Sequence, residues 1–157
     1  MLDAHGFYSI KREGNQIHCI VGGCWNEENV IGYNEAIQKI VQEFSQNTPW
    51  FYIINALGFE GATPAAYRRE SDVIKWCIAN GLQQRIIISL DKFKIKIAKK
   101  YQKEFSLIPT TVVATEQLAQ LWLTKNVKLN LLAEKPITNT DCGTDPSKIS
   151  KQTTGNS

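Results

Sequence analysis

The sequence predicts an α/β fold: a five-stranded mixed sheet with four helices. Three observations predict it. Apolar strand-like runs alternate with capped amphipathic stretches from residue 16 to residue 124. The connections between them are short, which requires right-handed crossovers and mainly parallel pairing. A hairpin signal precedes them, Gly14-Asn15, and it sets the first two strands antiparallel.

Phe7 to Lys11 alternates weakly and reads as the first strand, and Ile17 to Val21 as the second, ended by Gly22-Gly23. Asn26 reads as an N-cap, with Glu27 and Glu28 in the first turn where the helix dipole favours acids. Val30, Tyr33, Ile37, Ile40, Val41 and Phe44 follow at helical spacing, and Asn47-Thr48-Pro49 stops the helix.

Trp50 to Ile54 is apolar at successive positions, the pattern of a strand buried on both faces. Gly58 to Ala62 reads as a loop leading to Thr63-Pro64, a cap before a proline at the first helical position. Ala66, Tyr67, Val73, Ile74, Cys77 and Ile78 form the inward face of that helix, and Gly81 suits its left-handed end. Arg85 to Leu90 is the fourth strand.

Lys92, Lys94 and Lys96 alternate with Phe93, Ile95 and Ile97, a strand-like period. The Asp91 cap and the total length favour a helix reaching about Phe105. Thr110 to Ala114 is the fifth strand, and Thr115 caps a last helix with Leu118, Leu121, Trp122 and Leu123 as its apolar members. Asn126 to Leu132 reads as either a frayed helix or a short added strand. The expected domain is therefore residues 1–126. Residues 127–157 form a polar tail, and from about Ala133 its composition cannot bury enough apolar surface to offset ordering entropy.

Composition narrows the function. The 157 residues are 43% hydrophobic and 21% charged, an ordinary single globular domain. A net charge of +3 lacks the basic excess of a nucleic-acid binder. The N-terminus shows no signal-peptide pattern and no apolar run is long enough to cross a bilayer, so the expected place is the cytosol. The cysteines Cys19, Cys24, Cys77 and Cys142 and the histidines His5 and His18 form no metal-ligand spacing. Cys19 and Cys77 read as small buried hydrophobes and Cys142 as a free thiol. Neither histidine stands at a strand's C-terminal end, where open α/β sites form, and no nucleotide-binding glycine motif occurs. No catalytic residues and no cofactor are expected.

Several segments carry a family likeness: Gly22-Gly23-Cys24-Trp25-Asn26 after the second strand, Thr63-Pro64-Ala65-Ala66-Tyr67 opening the second helix, and Trp76-Cys77 with Gly81-Leu82-Gln83-Gln84-Arg85 before the fourth strand. Thr115 to Leu123 closes the domain with an E-x-x-A-x-x-W-L run. In this order the chain resembles the STAS-like superfamily over about residues 5–124. That superfamily is typified by anti-sigma-factor antagonists and related in fold to Sec14-type lipid-carrier domains. Within it the chain is similar to the SpoIIAA-like branch of small bacterial proteins. The resemblance implies a non-catalytic regulatory module. In the antagonists a serine near the start of the second helix, just after an Asp-Ser turn, is phosphorylated by a partner kinase. This chain departs from that pattern, with Asn55 where an acid is common and Thr63 as the one hydroxyl near the place. Pro64 beside Thr63 speaks for capping.

The expected working surface is the C-terminal rim of the sheet, where the turns around Trp25, Phe59 and Ser89 should meet. Candidate ligand- or partner-binding residues are Trp25, Asn26, Asn55, Phe59, Thr63, Ser89 and Asp91. The aromatics would contact, because aromatics in loops are less easily explained as core. The polar groups would orient. Lys92, Lys96, Lys99 and Lys103 fall on one helical stripe flanked by Lys100. A solvated outer face is the usual reading of such a stripe. The alternative is an anionic surface, since each lysine near a lipid headgroup layer contributes about 1 kcal/mol. Two functional readings follow: a module engaging a protein partner or small anionic ligand at the strand C-terminal loops, or a lipid-carrier or membrane-surface protein. A second sheet face left open would add a homodimer.

Overall fold

A computed structural model describes residues 6–46, 48–103 and 107–134, with backbone alone for residues 127–134. The strands are β1 (Phe7–Glu13), β2 (Gln16–Trp25), β3 (Trp50–Ala62), β4 (Leu82–Ile88) and β5 (Thr110–Val113). The helices are α1 (Glu27–Gln42), α2 (Pro64–Ala79), α3 (Lys92–Tyr101) and α4 (Glu116–Glu134). The strands lie side by side in chain order, with β1 antiparallel to β2 and every later pair parallel. The chain divides into two compact units, Met1–Trp122 and Leu123–Ser157. The sheet, α1, α2, α3 and the first two turns of α4 belong to the first.

Sequential order and right-handed crossovers put α1, α2 and α3 on one face. Alternation along the strands decides what they cover. Ile17, Cys19 and Val21 of β2, with Trp50, Tyr52 and Ile54 of β3, join Val30, Tyr33, Ile37, Val73, Ile74 and Cys77 of the helices in one buried core. The residues in between, His18, Ile20, Ile53 and Asn55, look the other way. There the first turn of α4 meets the sheet, with Asn55 Nδ2 donating to Glu116 Oε1 at 2.9 Å.

Helix starts follow the sequence. Asn26 and Asn29 form a reciprocal capping box on α1, Thr63 Oγ1 accepts from Ala66 N on α2, and Thr115 Oγ1 accepts from Leu118 N on α4. Gly81 ends α2 at φ +95°, a conformation that strains any other residue.

The ends of β2 and β3 differ from expectation. Both strands run through their glycines, pairing Gly23 with Phe59 and Trp25 with Ala62. Gly23 and Gly61 take positive φ, +72° and +149°, which favours glycine. At Gly22 the reason is close approach, since the Phe7 ring lies where a side chain would begin. β4 begins three residues earlier than Arg85 and ends at Ile88, while α3 ends at Tyr101, where the buried Gln102 closes it. Phe105 lies outside the described residues. In α4 the structure buries Ala119, and leaves Leu118 and Leu121 exposed. The segment expected as a frayed helix or strand is helical to Glu134, and the polar tail beyond it lies outside the described residues.

Candidate functional site

The C-terminal ends of β4 and β5 and the start of α3 border a groove of about 520 Å3. Ile95, Val112, Val113 and Ala114 give it an apolar lining, and Lys92, Lys96 and Lys99 stand along one side. All three lysines are exposed, as are Lys100 and Lys103 nearby. Ser89, Leu90 and Asp91 form its end. The Asp91 carboxylate accepts from the N–H groups of Phe93 at 3.0 Å and Lys94 at 3.1 Å, which starts α3. The backbone bond from Lys94 leads the causes that hold this carboxyl below the usual aspartate range, so it stays ionised. Ser89 Oγ in turn accepts from Asp91 N at 3.2 Å. Lys94 turns away from the stripe, donating to Phe59 O at 2.7 Å and pairing with Asp91 at 3.5 Å. The groove is thus lined by one carboxylate, already capping a helix, and three ammonium groups. It suits an amphipathic anion.

Beneath α3 lies a smaller cavity of about 80 Å3, lined by Phe59, Tyr67, Glu70, Arg85, Ser89 and Gln102 among others. Its polar members form a chain. Gln102 Nε2 donates to Glu70 Oε2 at 2.9 Å, and Arg85 donates through Nη1 to Gln102 Oε1 at 3.4 Å and through Nε to Thr110 Oγ1 at 3.3 Å. Burial pushes the Glu70 carboxyl above its usual range, although Arg85 and the Gln102 amide pull it back. The chain ties α2, the end of α3, β4 and β5 together, and so fixes the groove's wall. Sequence reading missed Glu70, Lys94 and Gln102, and took Arg85 only as the start of a strand. One signal was available: a lone cation opening the Ile86-Ile87-Ile88 run needs a buried partner.

On the opposite face a polar cleft of about 180 Å3 is lined by Lys11, Glu13, His18, Asn55, Glu116 and Gln120 among others. Its groups satisfy one another. Lys11 pairs with Glu13 at 2.7 Å, and Asn55 bridges Glu116 and the Leu57 N–H. His18 Nε2 lies 2.9 Å from Gln16 Oε1 and 3.4 Å from Glu13 Oε2.

The seven rim candidates therefore separate. Ser89 and Asp91 share the groove with three of the four stripe lysines, whereas Lys103 and the flanking Lys100 do not line it. Phe59 is half-buried and shares the smaller cavity with Ser89. Trp25, expected in a loop, ends strand β2 and is only 6% exposed. Its ring packs edge-on against Tyr33 at 5.3 Å and tilted against Tyr8 at 5.9 Å, and its Nε1–H donates to Gly22 O at 2.9 Å. Asn26 and Thr63 are engaged as helix caps, and Asn55 as a bridge. Burial pushes the Cys19 and Cys77 thiols up to about 12, so both behave as small hydrophobes. Cys142 lies outside the described residues. Among the described residues no His, Cys, Asp and Glu cluster could hold a metal, and no helix is long and apolar enough to cross a membrane.

No family model and no curated protein matches the sequence. Solved structures do match the fold. One is an uncharacterized protein with a SpoIIAA-like fold from Shewanella loihica, at 12% identity and a TM-score of 0.57, covering 75% of this chain and 93% of that one. Another is a variant of RsbS from Moorella thermoacetica, at 12% identity and a TM-score of 0.56, covering 76% of this chain and 96% of that one. A third is an anti-sigma factor antagonist from Mycobacterium paratuberculosis, at 9% identity and a TM-score of 0.54, covering 76% of this chain and 94% of that one. The chain has a SpoIIAA-like fold.

Proposed function

We propose that this protein is a non-catalytic regulatory module that engages an anionic partner, protein or small ligand, in the groove between α3 and β5. One observation carries the reading: Ser89, Asp91 and three lysines of the stripe converge on one apolar-lined groove. Apolar lining supplies affinity at roughly 25 cal/mol per Å2 removed from water, and the lysines select the sign of the partner's charge. Two proteins of the same fold, RsbS and an anti-sigma factor antagonist, support a regulatory role.

A membrane-surface role is the second reading. Leu90 and Phe93, 74% and 70% exposed, flank Lys92.

The test uses 8-anilinonaphthalene-1-sulfonate, an amphipathic anion whose fluorescence rises in apolar surroundings. It should bind stoichiometrically to the native protein. Replacing Lys92, Lys96 and Lys99 together by Glu should abolish the binding, and Lys39→Glu on α1 should leave it intact. Equal binding by the triple variant would remove the groove as the site. Flotation of anionic vesicles at low and high salt decides the second reading. Lysine-dependent flotation supports it, and no flotation at low salt ends it.

A further inference from the structure

We infer that the groove's occupant is an extended acidic segment of a partner protein, which adds to the sheet as a sixth strand along β5. This inference rests on the anionic-partner reading and names the partner's chemistry and its backbone geometry.

The first argument is the state of the β5 edge. Among the described residues the sheet ends at β5. Arg85 N donates to Pro109 O and Ser89 N to Val113 O, so residues 109 and 113 turn their carbonyls toward β4. Backbone direction alternates along a strand, hence Thr110 and Val112 point their N–H and C=O groups outward. They form a short template for another strand.

The two sheet edges differ in their side chains. The opposite edge, β1, carries three consecutive charged residues, Lys11, Arg12 and Glu13. Charges on an edge strand discourage pairing with other chains. β5 reads Thr-Thr-Val-Val, β-branched throughout and uncharged, with Val112 41% exposed. Its side chains favour strand pairing, and nothing in them opposes it.

Spacing and charge select the occupant. Lys92 and Lys96 are four residues apart on a helix, which separates them by about 6 Å along its axis. Side chains on one face of a strand recur about every 6.6 Å. A segment with acidic residues at alternate positions therefore matches the lysine row. Its other residues face the opposite side of the sheet. The chain's own segment beyond Glu134 does not complement the row, since it carries three lysines and two aspartates.

The experiment measures binding of acetyl-Glu-Val-Glu-Val-Glu-Val-amide to the full chain by calorimetry at low salt. The comparison is acetyl-Glu-Glu-Glu-Val-Val-Val-amide, of equal charge and composition. The alternating peptide should bind more tightly. N-methylation of its alternate amides should weaken it at least about tenfold, the loss expected from two hydrogen bonds. Val112→Pro removes one outward donor without touching the β4 ladder, which an edge strand tolerates, and should weaken binding similarly. If that variant fails to fold, the methylated peptide still decides. Equal affinity for the two peptides, or indifference to methylation, overturns the inference. If anilinonaphthalene sulfonate still binds in a lysine-dependent way, the groove reading survives that result. Lysine-dependent flotation of anionic vesicles without alternating-peptide binding also overturns the inference, in favour of a membrane surface. Failure of both the peptide and the sulfonate removes the inference and the groove reading together.

Discussion

At the C-terminal rim of the sheet, Trp25 and Asn26 stand at the β2 end, and Ser89 and Asp91 at the β4 end. In sequence the two pairs look alike: a strand, then a residue able to cap the next helix. In the structure they part. Trp25 closes its end by packing between Tyr8 and Tyr33, and Asn26 is held in a capping box. Asp91 also caps, yet the groove beside it stays open between Leu90, Val112 and the lysines. The difference comes from what lies next to each strand. β2 has β1 as an antiparallel neighbour, whose Tyr8 covers Trp25. On its outer side β4 has the four-residue β5, too short to cover what α3 leaves exposed.

The largest effect tests the closed end. Trp25→Ala removes an aromatic ring from a three-ring cluster, and should destabilise the fold by about 3–5 kcal/mol in urea denaturation. A midpoint unchanged from the native protein would show that this end is as open as the other. The intermediate case is a cap. Thr63→Ala should cost about 1 kcal/mol through the lost bond to Ala66 N, with Thr63→Ser recovering most of it. A failure of serine to recover would mean that the hydroxyl does more than start α2. At the open end, Leu90→Ser should move stability by less than about 0.5 kcal/mol, because Leu90 is exposed. The same change should weaken anilinonaphthalene sulfonate binding. A large loss of stability at Leu90 would erase the contrast from the other side.

The helix caps and the order of elements were legible, because Asn26, Thr63, Asp91 and Thr115 act through bonds two or three residues away. The far ends of β2 and β3 were not. Gly22, Gly23, Gly58 and Gly61 carry the local signature of turns, and the pairing of the two strands through them is not written in that signature. Trp25 was misplaced for the same reason. The lysine row was legible as a helical stripe. Its groove was not, because Val112 and Ile95 come together only when β5 docks on β4. The chain from Glu70 through Gln102 to Arg85 spans residues 32 and 17 positions apart, beyond any local pattern.

The smallest effect concerns the cleft on the other face, which like the open groove holds a lysine, a carboxylate and a hydroxyl. Its lysine, carboxylates and amide pair with one another, and His18 offers a way to measure how closed it is. Burial lowers the His18 pKa from its ordinary 6.5, and Glu13 opposes the shift without cancelling it. The folded protein therefore prefers the neutral ring. At a pH between the folded value and 6.5 the unfolded chain binds more protons than the folded one, so stability rises with pH there. Stability from this group is present above 6.5 and is lost as pH falls toward the folded value. His18→Gln should flatten the slope of unfolding free energy across that window and leave sulfonate and peptide binding unchanged. An unaltered slope would mean that the ring is hydrated and the cleft open. A loss of binding would mean that the second face takes part in recognition, and that the contrast between a closed and an open surface has been drawn on the wrong side of the sheet.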